Sequence, residues 1–269
     1  MILGVIVGSL AVISFNSWPL IWLGLELNLI RFVPSVIKEE NNKKQAIIYF
    51  IVQRVGSIVI LRRAIMAEHK TSIITFILLG IVMKLGAAPI HFWLPNILST
   101  LSSVGLYMII RWQKIAPLFV LSIVILTKEA IRFINLFTGS ILMLSIASPL
   151  LVIIFSGISQ IGWMIIIQGK LLTFFIFVYF FILIPIVQFI KSRTTNFFWG
   201  IINAGGLPPF SGFIIKLKAL IYIQKKRTFL FISASAVALS CYSRMILNQK
   251  YKKDKVRFIT LISLAVGIV

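Results

Sequence analysis

Apolar runs of about 17–25 residues, separated by short basic or Gly/Pro-containing links, recur along the whole chain. Inside hydrocarbon a segment must satisfy its own backbone N–H and C=O groups, so runs of this kind are read as membrane helices. They fall at 2–16, 18–37, 45–61, 72–94, 97–112, 115–127, 133–155, 157–169, 171–190, 197–222, 228–247 and 256–269. The pair 97–112 and 115–127 is short, and 197–222 is broken near its start. The expected fold is all-α, a polytopic membrane helical bundle of roughly 10–11 transmembrane helices, two of them broken. Residues 1–269 are expected to form a single domain, because no linker or low-complexity segment interrupts them.

Of the 269 residues, 59% are hydrophobic, against roughly 45–50% in soluble domains. The charge is lopsided, with 27 basic and 6 acidic residues and a net charge of +21. On a soluble chain that balance points to nucleic acid. Here most basic residues lie in the links, so the lipid bilayer is the expected partner and nucleic acid is not. Residues 244–257 carry Arg244, Lys250, Lys252, Lys253, Lys255 and Arg257 against Asp254 alone. That excess would put this link on the negative side of the membrane.

The first 30 residues hold no Lys or Arg, and no small-residue cleavage pattern follows an apolar core. Neither a secretory signal nor an Arg-rich transit peptide is read there, so an unprocessed protein is expected. The abundance of Ile, Phe, Lys and Asn resembles translation of an AT-rich genome and hints at an organelle. Cys241 is the single cysteine, which excludes a disulfide framework and a Cys-ligated iron–sulfur cluster. His69 and His91 are the only histidines and have no metal-ligand spacing. No Gly-x-Gly-x-x-Gly and no P-loop occurs. The chain is therefore expected to bind no cofactor, and any redox step belongs to other chains.

Against this background a few ionisable residues stand out. Lys84 follows an uncharged run, Ile73 to Met83, and a lysine at such depth costs roughly 2.5–3.5 kcal/mol on insertion scales. It usually faces a polar cavity or a partner, and lysine is the basic side chain that changes its proton affinity readily on burial. Pro89, five residues on, cannot donate to the carbonyl of Leu85, which suggests a hydrated helix break. Pro95 repeats the pattern at His91. A kinked packing helix with a snorkelling lysine is the plainer alternative.

Glu26 alone of the six acids lies well inside a span, so it either anchors a cation for structure or pairs with a functional lysine. Lys114, in Arg111-Trp112-Gln113-Lys114-Ile115-Ala116-Pro117, sits near an expected span boundary and is either a headgroup contact or a path residue. Lys216 closes the run Gly205-Gly206-Leu207-Pro208-Pro209-Phe210-Ser211-Gly212-Phe213-Ile214-Ile215-Lys216. Pro208 and Pro209 free the carbonyls of Ala204 and Gly205, and Pro209, Gly212 and Lys216 share a helical face. Two broken helices with buried lysines, one in each half, suggest a duplicated transport core. Arg62 and Arg63 are expected to snorkel, whereas Arg54 requires an internal partner.

Trp22 to Asn28, Lys84 to Pro95, Trp112 to Pro117, Gly162-Trp163 and Gly206 to Lys216 occur in one order with characteristic spacing. They resemble the motifs of the subunit 2 family of mitochondrial NADH dehydrogenase, antiporter-like membrane chains of respiratory complex I. The resemblance implies an animal-type member without the extra N-terminal helices of bacterial relatives. It further implies that Glu26 is the carboxylate paired with the first channel lysine, Lys84. Lys114 would link the half-channels and Lys216 would serve the second broken helix. The family departs from this chain in placing a histidine where Gln160 precedes Ile161-Gly162-Trp163. Glutamine cannot titrate, so proton transfer at that point would need water. The family's Leu-Arg-Lys run is absent near Leu150-Leu151-Val152, and Arg54 and Arg111 are uncharacteristic.

The expected function is thus that of a core membrane-arm subunit of proton-pumping NADH:ubiquinone reductase in the mitochondrial inner membrane. The expected partners are the other membrane-arm subunits of complex I, which with the rest of the assembly handle NADH, FMN, iron–sulfur clusters and ubiquinone. Two alternatives stand beside it: a cation/proton antiporter subunit, and a structural subunit with impaired proton conduction.

Overall fold

The computed structural model describes residues 2–38, 43–65, 70–123, 128–167, 170–190, 195–208, 210–221 and 225–247. Among the described residues every regular element is a helix. Many of these segments are rich in β-branched residues, poor helix formers in water. The apolar surroundings override that preference, because only a continuous internal ladder satisfies the backbone. The chain divides into two compact units, residues 1–128 and 129–269.

The first unit contains α1 (Ile2–Ser14), α2 (Trp18–Lys38), α3 (Lys43–Ile65) and α4 (Lys70–Leu85). The short α5 (Trp93–Leu98) and α6 (Ser103–Tyr107) follow, then a π-helical turn, Met108–Trp112, and α7 (Gln113–Ile123). Successive helices α1 to α4 pack side by side, and α7 closes against α1, α2 and α4. The α3–α4 contact runs backbone to backbone: a Cβ on Gly56 would lie 3.0 Å from the Gly80 carbonyl oxygen, and one on Gly80 2.8 Å from that of Gly56. Small residues at such crossings replace the hydrophobic drive that a membrane interior lacks.

In the second unit α8 (Lys128–Leu144) leads to α9 (Pro149–Ile166), α10 (Lys170–Phe189), α11 (Thr195–Gly205), α12 (Ser211–Ile221) and α13 (Lys225–Leu247). Gly139 and Gly162 bring α8 and α9 together, since a Cβ on Gly139 would meet the Ser159 nitrogen at 2.5 Å and one on Gly162 the Arg132 carbonyl at 3.0 Å. This packing gives the Gly162-Trp163 pair its structural reason, with Trp163 resting edge-on against Phe231 of α13.

Large apolar side chains are exposed at helical spacing, for example Leu3, Val7 and Leu10 on α1 and Ile47, Ile51 and Ile58 on α3. Such stripes on a solvent-facing helix would be a liability; here they are the surface of a multi-pass membrane protein. Five described helices are long and apolar enough to cross a bilayer: Trp18–Ile37, Lys43–Arg62, Ser103–Ile123, Leu171–Gln188 and Thr228–Leu247. Four shorter apolar helices and the broken pair α11/α12 bring the described set close to the expected number.

Several expected boundaries move. The two short spans at 97–112 and 115–127 are replaced by one continuous span, Ser103–Ile123, in which the π turn absorbs the polar cluster around Arg111. The run 133–155 is interrupted at 145–148, where Ser148 is extended and Pro149 takes the first turn of α9. A proline is at home there, because its missing N–H has no partner to lose. Pro95 likewise lies in the first turn of α5 and kinks nothing, and the His91 carbonyl accepts from the Leu94 N–H at 3.0 Å. The expected span 256–269, and Pro209, lie outside the described residues.

Candidate functional site

α4 ends because Gly86 adopts φ +62°, a conformation glycine enters without the Cβ penalty. The Gly86 N–H donates to the Met83 carbonyl at 3.2 Å and the Ala87 N–H to that of Val82 at 3.0 Å, the two bonds of a Schellman cap. The helix therefore stops before Pro89 is reached, and Pro89 lies inside the break rather than causing it. Lys84 occupies the last helical turn, where the helix dipole favours a cation. It is buried, and its own carbonyl accepts from Gln53 Nε2 at 3.1 Å. A Cβ on Gly56 would sit 3.2 Å from Lys84 Cγ, so that glycine also clears the path of the lysine stem.

Glu26, on α2, is 5% exposed. Its Oε2 accepts from Arg54 Nη1 at 2.8 Å, which supplies the internal partner that the sequence demanded for Arg54. The expected Glu26–Lys84 pairing is therefore not a contact: no ion pair within 4.0 Å joins them. Lys114 is buried within α7, directly after the π turn, and is not a headgroup contact at a span end. Gln113 beside it donates through Nε2 to Asn28 Oδ1 at 3.1 Å, tying α7 to α2 two residues from Glu26. Arg111 is also buried and lies 3.9 Å above the Tyr107 ring.

The second unit repeats the scheme with different parts. Gly206, at φ +79°, ends α11, and α12 resumes at Ser211. Pro208 lies in the gap, and the two carbonyls expected to be freed are those the structure uses. Lys216 Nζ donates to the Ala204 oxygen at 3.2 Å and to the Gly205 oxygen at 2.8 Å. An ammonium thus sits at the negative end of α11, an arrangement used by half-helices that handle cations in membranes. Gly206 leaves room for it, since a Cβ there would come 3.1 Å from Lys216 Nζ.

Asn203 holds the break shut and was not foreseen from sequence. Its Oδ1 accepts from the Gly212 N–H and from Ser211 Oγ, both at 2.9 Å. A Cβ on Gly212 would collide with the Asn203 carbonyl oxygen, so the close approach of the first turn of α12 to Asn203 relies on glycine. The lone polar residue of Ile201-Ile202-Asn203-Ala204 was the available signal.

Lys216 also lines a small cavity with Gln160 of α9 and Tyr179 of α10. It offers about 10 Å³ to the centre of a water molecule, close to what one water needs. Among the described residues no group of three or more His, Cys, Asp or Glu is placed to hold a metal ion.

An all-helical membrane chain with a buried lysine beside each of two broken helices has the architecture of an antiporter-like membrane subunit. Solved structures agree on the fold. A chain of respiratory complex I from Thermus thermophilus superposes with a TM-score of 0.84 at 16% identity, covering 99% of this chain and 75% of that one. A chain of the Mrp complex from Dietzia sp. gives a TM-score of 0.81 at 14% identity, with coverage of 93% and 60%.

No family model matches the chain. Curated proteins do. NADH-ubiquinone oxidoreductase chain 2 of Anopheles gambiae is 31% identical over 246 residues, 78% of this chain and 72% of that protein. The protein of the same name from Lumbricus terrestris is 25% identical over 283 residues, covering 90% and 84%. The chain belongs to the NADH-ubiquinone oxidoreductase chain 2 family.

Proposed function

We propose that the chain is a core membrane-arm subunit of a proton-pumping NADH:ubiquinone reductase. It carries protons along a buried polar path that includes Lys84, Lys114 and Lys216, with Glu26 as the associated carboxylate. The placement of a buried lysine at a helix break in each unit carries the proposal. Lys216 is held there by two backbone oxygens and Lys84 lies at the negative end of its helix, so each can exist charged or neutral without rebuilding the fold. Pro89 and Pro208 belong to the two breaks on this view, and residues 1–269 act as one antiporter-like domain.

Membership of this family supports a location in the mitochondrial inner membrane, among other membrane-arm subunits and lipid. NADH, FMN, iron–sulfur clusters and ubiquinone are assigned to other chains of the assembly. Quinone reduction there supplies the energy; this chain supplies the proton sites. Migration with an NADH dehydrogenase assembly on a native gel is the expected result. Migration alone, or with a few transport partners, would instead favour a free-standing cation/proton exchanger subunit.

A second reading is favoured by one observation. Gln160 lines the Lys216 cavity and cannot itself take a proton, so the second unit conducts only if water completes the path. Unchanged pumping in a Lys216→Met complex would assign that unit a structural role.

A further inference from the structure

Arg54 stands at the midpoint of α3, eleven residues from Lys43 and eleven from Ile65. That is about 16 Å of helix in either direction, farther than an arginine side chain extends. It cannot be explained as a snorkelling surface cation, although its side chain is 44% exposed. One guanidinium nitrogen is committed to Glu26 Oε2 at 2.8 Å, and the Phe50 ring lies 6.0 Å from its centre, one turn earlier. The other carboxylate oxygen, Glu26 Oε1, is buried and makes no hydrogen bond.

Positions one before and two after Arg54 on the same helix serve Lys84. Gln53 binds its carbonyl and Gly56 clears its stem. A single turn of α3 therefore touches Glu26 through Arg54, a cation that never releases its proton, and Lys84 through Gln53.

We infer that Arg54 is a positioning residue of the first site: a fixed cation that holds Glu26 in place while Lys84 changes its charge. The inference rests on the proton role proposed above. With Lys84 protonated, the trio carries one net positive charge, and Glu26 Oε1 makes no hydrogen bond. When Lys84 gives a proton to water, it becomes a neutral amine and the trio becomes neutral. Arg54 and Glu26 are then a closed ion pair, so no buried carboxylate is stranded by the departure of the proton. Without Arg54, the same carboxylate has only Lys84 as counter-charge, and the proton is retained to keep it compensated.

The test uses the whole respiratory complex assembled with Arg54→Gln, Arg54→Lys or Lys84→Met. NADH oxidation by an artificial acceptor reports assembly, and quinone-coupled proton pumping reports function. Arg54→Gln is expected to leave the first intact and lower pumping about tenfold, a small part of what a stranded buried charge can cost. Arg54→Lys should restore most of the loss, because it returns a cation to the same helical position. Normal pumping in Arg54→Gln alongside lost pumping in Lys84→Met would overturn the role of Arg54 alone. A loss in Arg54→Gln that Arg54→Lys does not repair would overturn it too. Normal pumping in both Arg54→Gln and Lys84→Met would remove the proton role of this site altogether.

Discussion

The ammonium of Lys216 and the carbonyl oxygen of Gly205 lie 2.8 Å apart, the side chain of α12 reaching back across the break to the last residue of α11. The contact has two consequences that separate by mutation. It closes orphan carbonyls at a helix end, and it holds an ionisable group beside the Gln160–Tyr179 cavity.

Lys216→Met removes the donor for both carbonyls and is expected to destabilise the assembled subunit by about 1–3 kcal/mol. A thermal-inactivation midpoint of the purified complex measures this. Lys216→Arg keeps donors at the break but does not release a proton, so it should recover stability without recovering pumping. Recovery of both by arginine would make the role of Lys216 purely structural.

Gly212→Ala places a methyl group on the Asn203 carbonyl, and overpacking of this kind costs about 1–3 kcal/mol. Asn203→Leu removes the acceptor from the Gly212 N–H and Ser211 Oγ, at a cost near that of a lost helix cap, about 1 kcal/mol. Asn203→Asp keeps the acceptor and should be the milder change. The amount of subunit retained in the native assembly orders the three variants.

Arg244 was read from sequence as one of the charges of a basic link; the structure puts it inside α13. Its guanidinium donates to the carbonyls of Leu144 at 2.8 Å, Ile146 at 3.0 Å and Met143 at 3.1 Å, capping the end of α8. Arg244→Ala is expected to cost about 1–3 kcal/mol. Arg244→Lys should repair only part of it, because an ammonium lacks the planar fork that reaches several oxygens at once. Proteolysis between α8 and α9 in detergent-solubilised complex should increase in the same order.

What was legible in the sequence is local. The break between α11 and α12 was read from Pro208 and Pro209, which free the carbonyls of Ala204 and Gly205 because a missing N–H acts where it stands; the positive φ of Gly206, which makes the turn, was not singled out. The same chemistry marks the end of α4, although Gly86 rather than Pro89 makes the turn. The continuous span through Arg111 and Lys114 was not legible. Hydropathy places a polar cluster at a boundary, whereas a π turn and a tyrosine face accommodate it in mid-span. The Glu26–Arg54 pair depends on the register of α2 against α3, a tertiary fact that no spacing within either helix encodes. Asn203 looked like an isolated polar residue because its partners lie across the break.

The claim that this chain moves protons through the first site is tested most directly at Lys84. In a complex carrying Lys84→Met, reconstituted in vesicles, NADH oxidation by an artificial acceptor should stay at the wild-type level. Quinone-coupled proton uptake should fall about tenfold or more, as expected when a proton-transfer group is lost. Wild-type pumping in that variant would contradict the account.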